Sequence, residues 1–212
     1  MASLTYTAVQ KHLTTLVPPR PDEMVVMEEY ADQTNFPIIG PAAGYACYQV
    51  ARMINAKTVF EMGSGYGYST AWFAKAVQEN GGGLVHHVVW DEQLSKMATS
   101  HLSRLGFGSL VKYHVAEAVQ TLSQTAGPFD LIFNDIEKQD YPKSLPLVKE
   151  KLRSGGVLII DNILWSGRIF DKKDKSPATE GVREFTREIS RDSDWIASLI
   201  PVRDGVLVAY KR

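Results

Sequence analysis

Residues 58–69 read Thr58-Val59-Phe60-Glu61-Met62-Gly63-Ser64-Gly65-Tyr66-Gly67-Tyr68-Ser69. Thr58 to Met62 is a short apolar run ending in glycines, which is the pattern of a buried strand. Gly63, Gly65 and Gly67 then turn the chain, and a helix follows over about Ser69 to Gln78. Strand, glycine turn and helix together open an alternating α/β unit. The glycines let the backbone come close to a ligand and bring free N–H groups to a helix start. A tight turn with no ligand would use the same residues. The third glycine falls one residue too early for the dinucleotide fingerprint. Glu61, just before the turn, argues against a phosphate and favours a cationic or hydroxyl-rich ligand.

Downstream the rhythm continues. Strands are predicted at Leu84 to Trp90, Leu110 to Val115, Phe129 to Asp135 and Val157 to Asp161. Helices fall between them at Glu92 to Leu105, Glu117 to Gln124 and Lys143 to Leu152. This alternation predicts a parallel sheet with helices on both faces. The pattern then changes. A helix over Gly181 to Arg191 precedes strands at Trp195 to Val202 and Val206 to Tyr210, joined by Arg203-Asp204-Gly205. Asp-Gly between apolar runs signals a hairpin, which reverses the last strand of a seven-stranded Rossmann-like sheet. Upstream, helices are expected at Ser3 to Val17, at Asp22 to Thr34 and from near Pro41, forming an N-terminal cover. The whole, 212 residues, suits one domain, with residues 1–55 as that cover.

Composition narrows the class. The net charge of −1 points to no basic face, so no nucleic-acid partner is expected. Cys47 is the one cysteine, which excludes an internal disulfide and suits a reducing compartment. No apolar run approaches membrane-spanning length, and the first residues lack the basic start and apolar stretch of a signal peptide. A cytoplasmic protein without membrane contact is expected.

Ligands of open α/β sheets bind beyond the carboxyl ends of the strands. Strand four ends Asn134-Asp135, followed closely by Lys138, and strand five ends Asp161-Asn162. Two carboxylates and an amide oxygen on adjacent strand ends suit a hard divalent cation and leave it open to a substrate. Turn formation by Asp161-Asn162 and helix capping by Asp135 would use the same residues. A lysine beside such a group can serve as a base, although a solvated lysine is the commoner case. His86 and His87 fall within strand two, and the five histidines show no ligand spacing. Cys47, Trp72 and Phe73 read as core, and Trp165 as a candidate lining residue of a substrate pocket.

These segments together resemble the cation-dependent O-methyltransferases, the family of catechol and caffeoyl-coenzyme A O-methyltransferases. The matching stretches are Ile39-Gly40-Pro41, Phe60 to Ser69, Phe129 to Asp135 with Lys138 and Tyr141, Asp161-Asn162-Ile163-Leu164-Trp165-Ser166-Gly167, and Pro201-Val202-Arg203-Asp204-Gly205. They occur in family order over nearly the whole chain. The resemblance implies S-adenosylmethionine as cofactor and a divalent cation, Mg²⁺ first, with Ca²⁺ or Mn²⁺ as alternatives. It assigns Asp135, Asp161 and Asn162 to the metal, and Lys138 with Asp135 to catalysis. It places Gly63, Tyr68 and Ser69 around the cofactor's methionine, with Glu61 nearby, Glu117 at its adenine and Asp135 also among the cofactor-binding residues. The family's ribose-binding acid at the end of strand two is replaced by Val89, followed by Trp90 and Asp91, so Asp91 becomes the candidate for that role. Ile136-Glu137 is a second, minor departure.

The implied reaction moves a methyl group to a hydroxyl of a small catechol-like or phenolic substrate. Such a hydroxyl, with a pKa near ~10, is rarely ionised at neutral pH unless a cation stabilises the oxyanion. Two alternatives keep the fold: metal-independent methylation of another nucleophile, and a non-catalytic S-adenosylmethionine-binding protein. A nicotinamide dehydrogenase fits the glycine spacing poorly. Substrate choice is expected to rest on the N-terminal segment, the loop from Ser166 to Thr179 and residues near Tyr141. Bacterial relatives of this family are commonly dimers, so a homodimer is expected.

Overall fold

The computed structural model describes residues 5–212. Its elements are α1 (Tyr6–Thr15), α2 (Asp22–Thr34), α3 (Gly40–Met53), β1 (Thr58–Met62), α4 (Tyr68–Glu79), β2 (Leu84–Val89), α5 (Glu92–Arg104), β3 (Val111–Val115), α6 (Ala118–Gln124), β4 (Phe129–Asn134), α7 (Tyr141–Lys151), β5 (Leu152–Ile160), α8 (Pro177–Arg191), β6 (Trp195–Ile200) and β7 (Val206–Lys211). The seven strands form one sheet in the order β3-β2-β1-β4-β5-β7-β6. All pairings are parallel except those of β7, which runs antiparallel to β5 and β6. The predicted fold class is therefore observed, reversed last strand included. Of the expected first helix, Ser3 and Leu4 lie outside the described residues. None of the helices in the described residues is long and apolar enough to cross a membrane.

Successive strand residues face opposite sides of the sheet, and the core divides accordingly. Val59, Leu131, Phe133 and Ile159 pack on one face with Met27, Cys47, Trp72 and Phe73 from α2, α3 and α4. Phe60, Ile132, Leu158 and Ile160 pack on the other with Leu145, Val148, Phe185 and Ile189 from α7 and α8. Burying each large apolar side chain contributes roughly 1.5–3 kcal/mol. The two layers thus hold the sheet rigid beneath whatever its strand ends carry.

Several boundaries differ from the sequence reading. Strand β5 begins at Leu152, not Val157, because Phe129 pairs with Leu152 and the ladder resumes at Leu131 with Val157 after an irregularity. Helix α8 begins at Pro177, four residues ahead of the expected Gly181, with proline in its first turn. Three short 3-10 turns, Gly108–Leu110, Lys138–Asp140 and Trp165–Phe170, were not predicted. The last two carry residues of the site.

Candidate active site

The carboxyl ends of β1, β4 and β5 meet at one place. The Asp135 N–H donates to the Met62 carbonyl (2.9 Å), and the Asp161 N–H donates to the Asn134 carbonyl (3.3 Å). Gly63 makes the first contact possible. Its φ is +84°, and a Cβ there would lie 2.4 Å from the Asp135 carbonyl oxygen. On the other side, Gly181 lets α8 close on the Lys138 turn, where a Cβ would lie 2.4 Å from the Lys138 carbonyl oxygen.

Above these ends lies a cleft of about 1480 Å³. It extends from the end of β2 and the start of α6, where Val88, Val89, Trp90 and Val119 line it, across Gly63 and Asp135 to Lys138, Asp161, Asn162 and Arg203. Helix α1 contributes Tyr6, Thr7, Gln10 and Thr14 to its wall. Gln10 joins α1 to the β6–β7 hairpin, donating to the Pro201 carbonyl (3.0 Å) and accepting from the Arg203 N–H (2.5 Å).

Asp135, Lys138, Asp161 and Asn162, all expected at the site, line this cleft together. Lys138 is 8% exposed. Its Nζ donates to Asp135 Oδ1 (2.6 Å) and to the Ile136 carbonyl (3.3 Å), and lies 5.0 Å from the Tyr141 ring centre and 5.9 Å from that of Trp165. Asp161 is buried. Its Oδ2 accepts from Arg203 Nη1 (3.1 Å), and its Oδ1 is buried with no hydrogen-bond partner. Burial first, and then the charge of Asp135, push the Asp161 carboxyl up to about 7 against the pull of Arg203. Asn162 has a left-handed backbone (φ 58°) and donates Nδ2 to Asp204 Oδ2 (3.4 Å). That leaves its carbonyl oxygen available as a donor atom. Among the described residues, no three or more His, Cys, Asp or Glu side chains gather in a way that could hold a metal. The set here has two carboxylates and one amide.

The other expected residues are placed differently. Tyr68 and Ser69 line a small recess that also touches Gly63 and Asp135, not the main cleft. The Tyr68 hydroxyl donates to Glu28 Oε1 (2.6 Å). Glu61 lies wholly buried beneath the glycine turn and lines neither space. Its Oε2 accepts from Thr70 Oγ1 (2.5 Å), and Thr70 in turn meets His87 Nδ1 (3.0 Å). Because the Thr70 proton goes to Glu61, its oxygen accepts from His87, which fixes the proton on Nδ1. Burial pushes the Glu61 carboxyl up to about 7, against the pull of the hydroxyls of Ser69, Thr70 and Ser64 around it.

Asp91 does not line the cleft. Its Oδ1 caps α5, accepting from the Gln93 and Leu94 amides (2.7 and 2.9 Å). Glu117 reaches the cleft wall, but its two oxygens cap α6 through the Val119 and Gln120 amides (2.8 and 2.6 Å). Trp165 does line the cleft, with Nε1 donating to Thr179 Oγ1 (3.1 Å). Of the loop from Ser166 to Thr179, only Ser166 does so.

Sequence reasoning assigned no role to Arg203. The hairpin signal placed it in a turn, but no spacing rule links a turn residue to the end of β5. Asp204 fixes that approach, accepting from the Ser166 N–H at Oδ1 (2.7 Å), while its carbonyl accepts from the Leu164 N–H (2.8 Å).

The profile of a family described as O-methyltransferase matches residues 25–212. The catechol O-methyltransferase of Niastella koreensis is 26% identical over 201 residues, covering 92% of this chain and 90% of the relative. The mouse (Mus musculus) catechol O-methyltransferase domain-containing protein 1 is 28% identical, over 94% of this chain and 72% of its own. Among solved structures, the Bacillus cereus O-methyltransferase in complex with SAH superposes with a TM-score of 0.87 at 25% identity, over 98% of both chains. The O-methyltransferase TomG of Streptomyces achromogenes, in complex with SAM, gives a TM-score of 0.85 at 25% identity, over 96% of both. With the profile spanning all but the first 24 residues, the chain belongs to the O-methyltransferase family.

Proposed function

We propose that this O-methyltransferase moves the methyl group of S-adenosylmethionine to one hydroxyl of a small catechol-like or phenolic substrate chelated to a divalent cation. The observation that carries the reading is the gathering of Asp135, Lys138, Asp161 and Asn162 in one cleft continuous with the Gly63 turn. The donor set fits a hard cation. Asp161 holds a buried oxygen that no protein group satisfies, and two carboxylates with a carbonyl oxygen match the preference of Mg²⁺ or Ca²⁺ for oxygen ligands. Asp135, Asp161 and Asn162 would hold it. When bound, a divalent cation stabilises an oxyanion and so lowers the pKa of a hydroxyl.

The chain's own residues then have distinct tasks. The Gly63 turn brings backbone close to the methyl donor, with Tyr68 and Ser69 beside it. The cleft wall from α1 and the aromatic face of Trp165 hold the acceptor ring and keep water from it. Holding both reactants in line supplies a large part of the rate. Lys138 Nζ takes the hydroxyl proton. In the structure it is an ammonium paired with Asp135; with Asp135 engaged elsewhere and a divalent charge close by, Nζ would first release a proton to solvent, and the neutral amine, with only the Ile136 carbonyl and two aromatic rings around it, would then accept the hydroxyl proton.

One observation favours a second reading, transfer without a metal. Lys138 and Arg203 already neutralise Asp135 and Asp161. Methyl transfer from S-adenosylmethionine to a panel of catechols, with Mg²⁺ and again with excess EDTA, separates the two. Activity abolished by EDTA and restored by Mg²⁺ is expected. Activity indifferent to EDTA removes the metal and leaves the second reading.

A further inference from the structure

The nucleoside end of the cleft has an unusual balance of groups. Two acids stand near it, and α-helices have claimed both. Asp91 does not line the cleft and caps α5 through Oδ1, and each Glu117 oxygen already accepts an α6 amide. What faces the space from β2 is apolar: Val88, Val89 and then Trp90, with Leu94 from α5 beside them. Trp90 is 70% exposed, although an indole of this size is normally buried on average. It follows the end of β2, one strand in from the sheet edge, in the wall of a cleft continuous with Gly63 and Asp135. An open aromatic face there matches a flat heterocycle, and the apolar wall beside it offers nothing to a sugar diol.

We propose that the adenosine half of the methyl donor is held by stacking of its base on Trp90 and by apolar contact with Val89, with no carboxylate on its ribose hydroxyls. The inference rests on the cofactor reading above. Its consequence is a loosened specificity: a nucleoside lacking a ribose hydroxyl binds nearly as well as the intact one. A ribose hydroxyl bound to a carboxylate would behave otherwise, because losing a hydrogen bond to a charged group costs about tenfold in affinity or more. Base–aromatic stacking is worth a similar factor or greater.

Calorimetric titration with S-adenosylhomocysteine and its 2′-deoxy analogue tests this on the unaltered protein, on Trp90→Ala, on Trp90→Phe and on Asp91→Asn. Asparagine keeps the α5 cap while removing the charge. The two ligands are expected to bind the unaltered protein within about threefold of each other. Trp90→Ala should weaken both by at least about tenfold, Trp90→Phe should recover most of that, and Asp91→Asn should change neither. Equal binding by Trp90→Ala and the unaltered protein overturns the proposal. So does a 2′-deoxy ligand that binds about tenfold more weakly to the unaltered protein, above all if Asp91→Asn abolishes the difference. If S-adenosylhomocysteine itself fails to bind the unaltered protein, the cofactor reading falls, and this proposal with it.

Discussion

Lys138 sits where two demands on one side chain meet. It is nearly buried, yet three different kinds of group touch it: a carboxylate, a peptide carbonyl and the faces of Tyr141 and Trp165. A purely structural lysine would need only the carboxylate. Replacement by methionine keeps the stem against the rings and removes the nitrogen, so it separates the two roles. Lys138→Met is expected to lower kcat by about 10² or more, the usual loss when a general base is removed, with S-adenosylhomocysteine affinity kept. Steady-state kinetics beside calorimetry reads both. A variant with unchanged kcat would return Lys138 to a packing role. Asp161 shows the complementary signature, a buried oxygen with no partner, which sequence pattern could not reveal. That it ended a strand beside Asp135 was legible, because strand ends of an open sheet follow from the α/β rhythm. That Arg203 reaches it was not, because the approach depends on how Asp204 ties the hairpin to the loop after β5.

At the scale of elements, β2 carries an internal acid sensitivity. His86 stacks on His114 with ring centres 5.2 Å apart and lies against Phe60 and Phe129. Burial, then the charges of His114 and Lys112, hold its pKa down to about 4 from 6.5. Burial likewise holds His87 down to about 3. Both rings are neutral in the folded chain, whereas the unfolded chain protonates them below about pH 6.5. The unfolded state therefore binds more protons, and this contribution to stability fades as pH falls from 6.5 towards 4 and below. His86→Phe removes one of those protons while keeping an aromatic ring among Phe60 and Phe129. Its loss of Tm between about pH 7.5 and about pH 5 is expected to be smaller than that of the unaltered protein by about 4–8 °C. Equal losses, measured by calorimetric melting at both pH values, would show that His86 takes up its proton in the folded state as well.

The same strand shows why elements were more legible than their ends. The apolar pattern of Leu84 to Val89 specifies a strand wherever it sits, but whether Asp91 faces the cleft or caps α5 depends on one turn of backbone. A residue beside a helix start has a local partner always within reach, and the local partner won at both Asp91 and Glu117. Likewise Pro177 starts α8 ahead of the predicted Gly181 because a proline in the first turn is favourable, while the polar residues around it read as loop.

Across the whole molecule, one topology assembles the site and fixes its charge. The order β1-β4-β5-β7 lays Gly63, Asp135, Asp161 and Arg203 side by side, although they span most of the chain in sequence. At the strand ends two carboxylates face two cations, so Asp135 and Asp161 are each already paired. An added divalent cation would have to displace or coexist with those cations, and its binding energy would then count directly toward folding, because the unfolded chain does not assemble the strand ends. A ligand at about 100 times its Kd adds about 2.7 kcal/mol to the stability of the folded state, which for a chain of this size raises Tm by about 5–10 °C. Mg²⁺ is accordingly expected to raise the Tm of the unaltered protein by about that amount, with EDTA reversing it. Asp161→Asn, which keeps the shape of the side chain and removes the charge that would draw the cation, should melt at the same temperature with or without Mg²⁺. A shift that persists in Asp161→Asn would place the cation elsewhere on the molecule. A Tm indifferent to Mg²⁺, Mn²⁺ and Ca²⁺ in the unaltered protein would mean that Lys138 and Arg203 are the charge balance the pocket uses, and the metal-free reading of transfer would then stand.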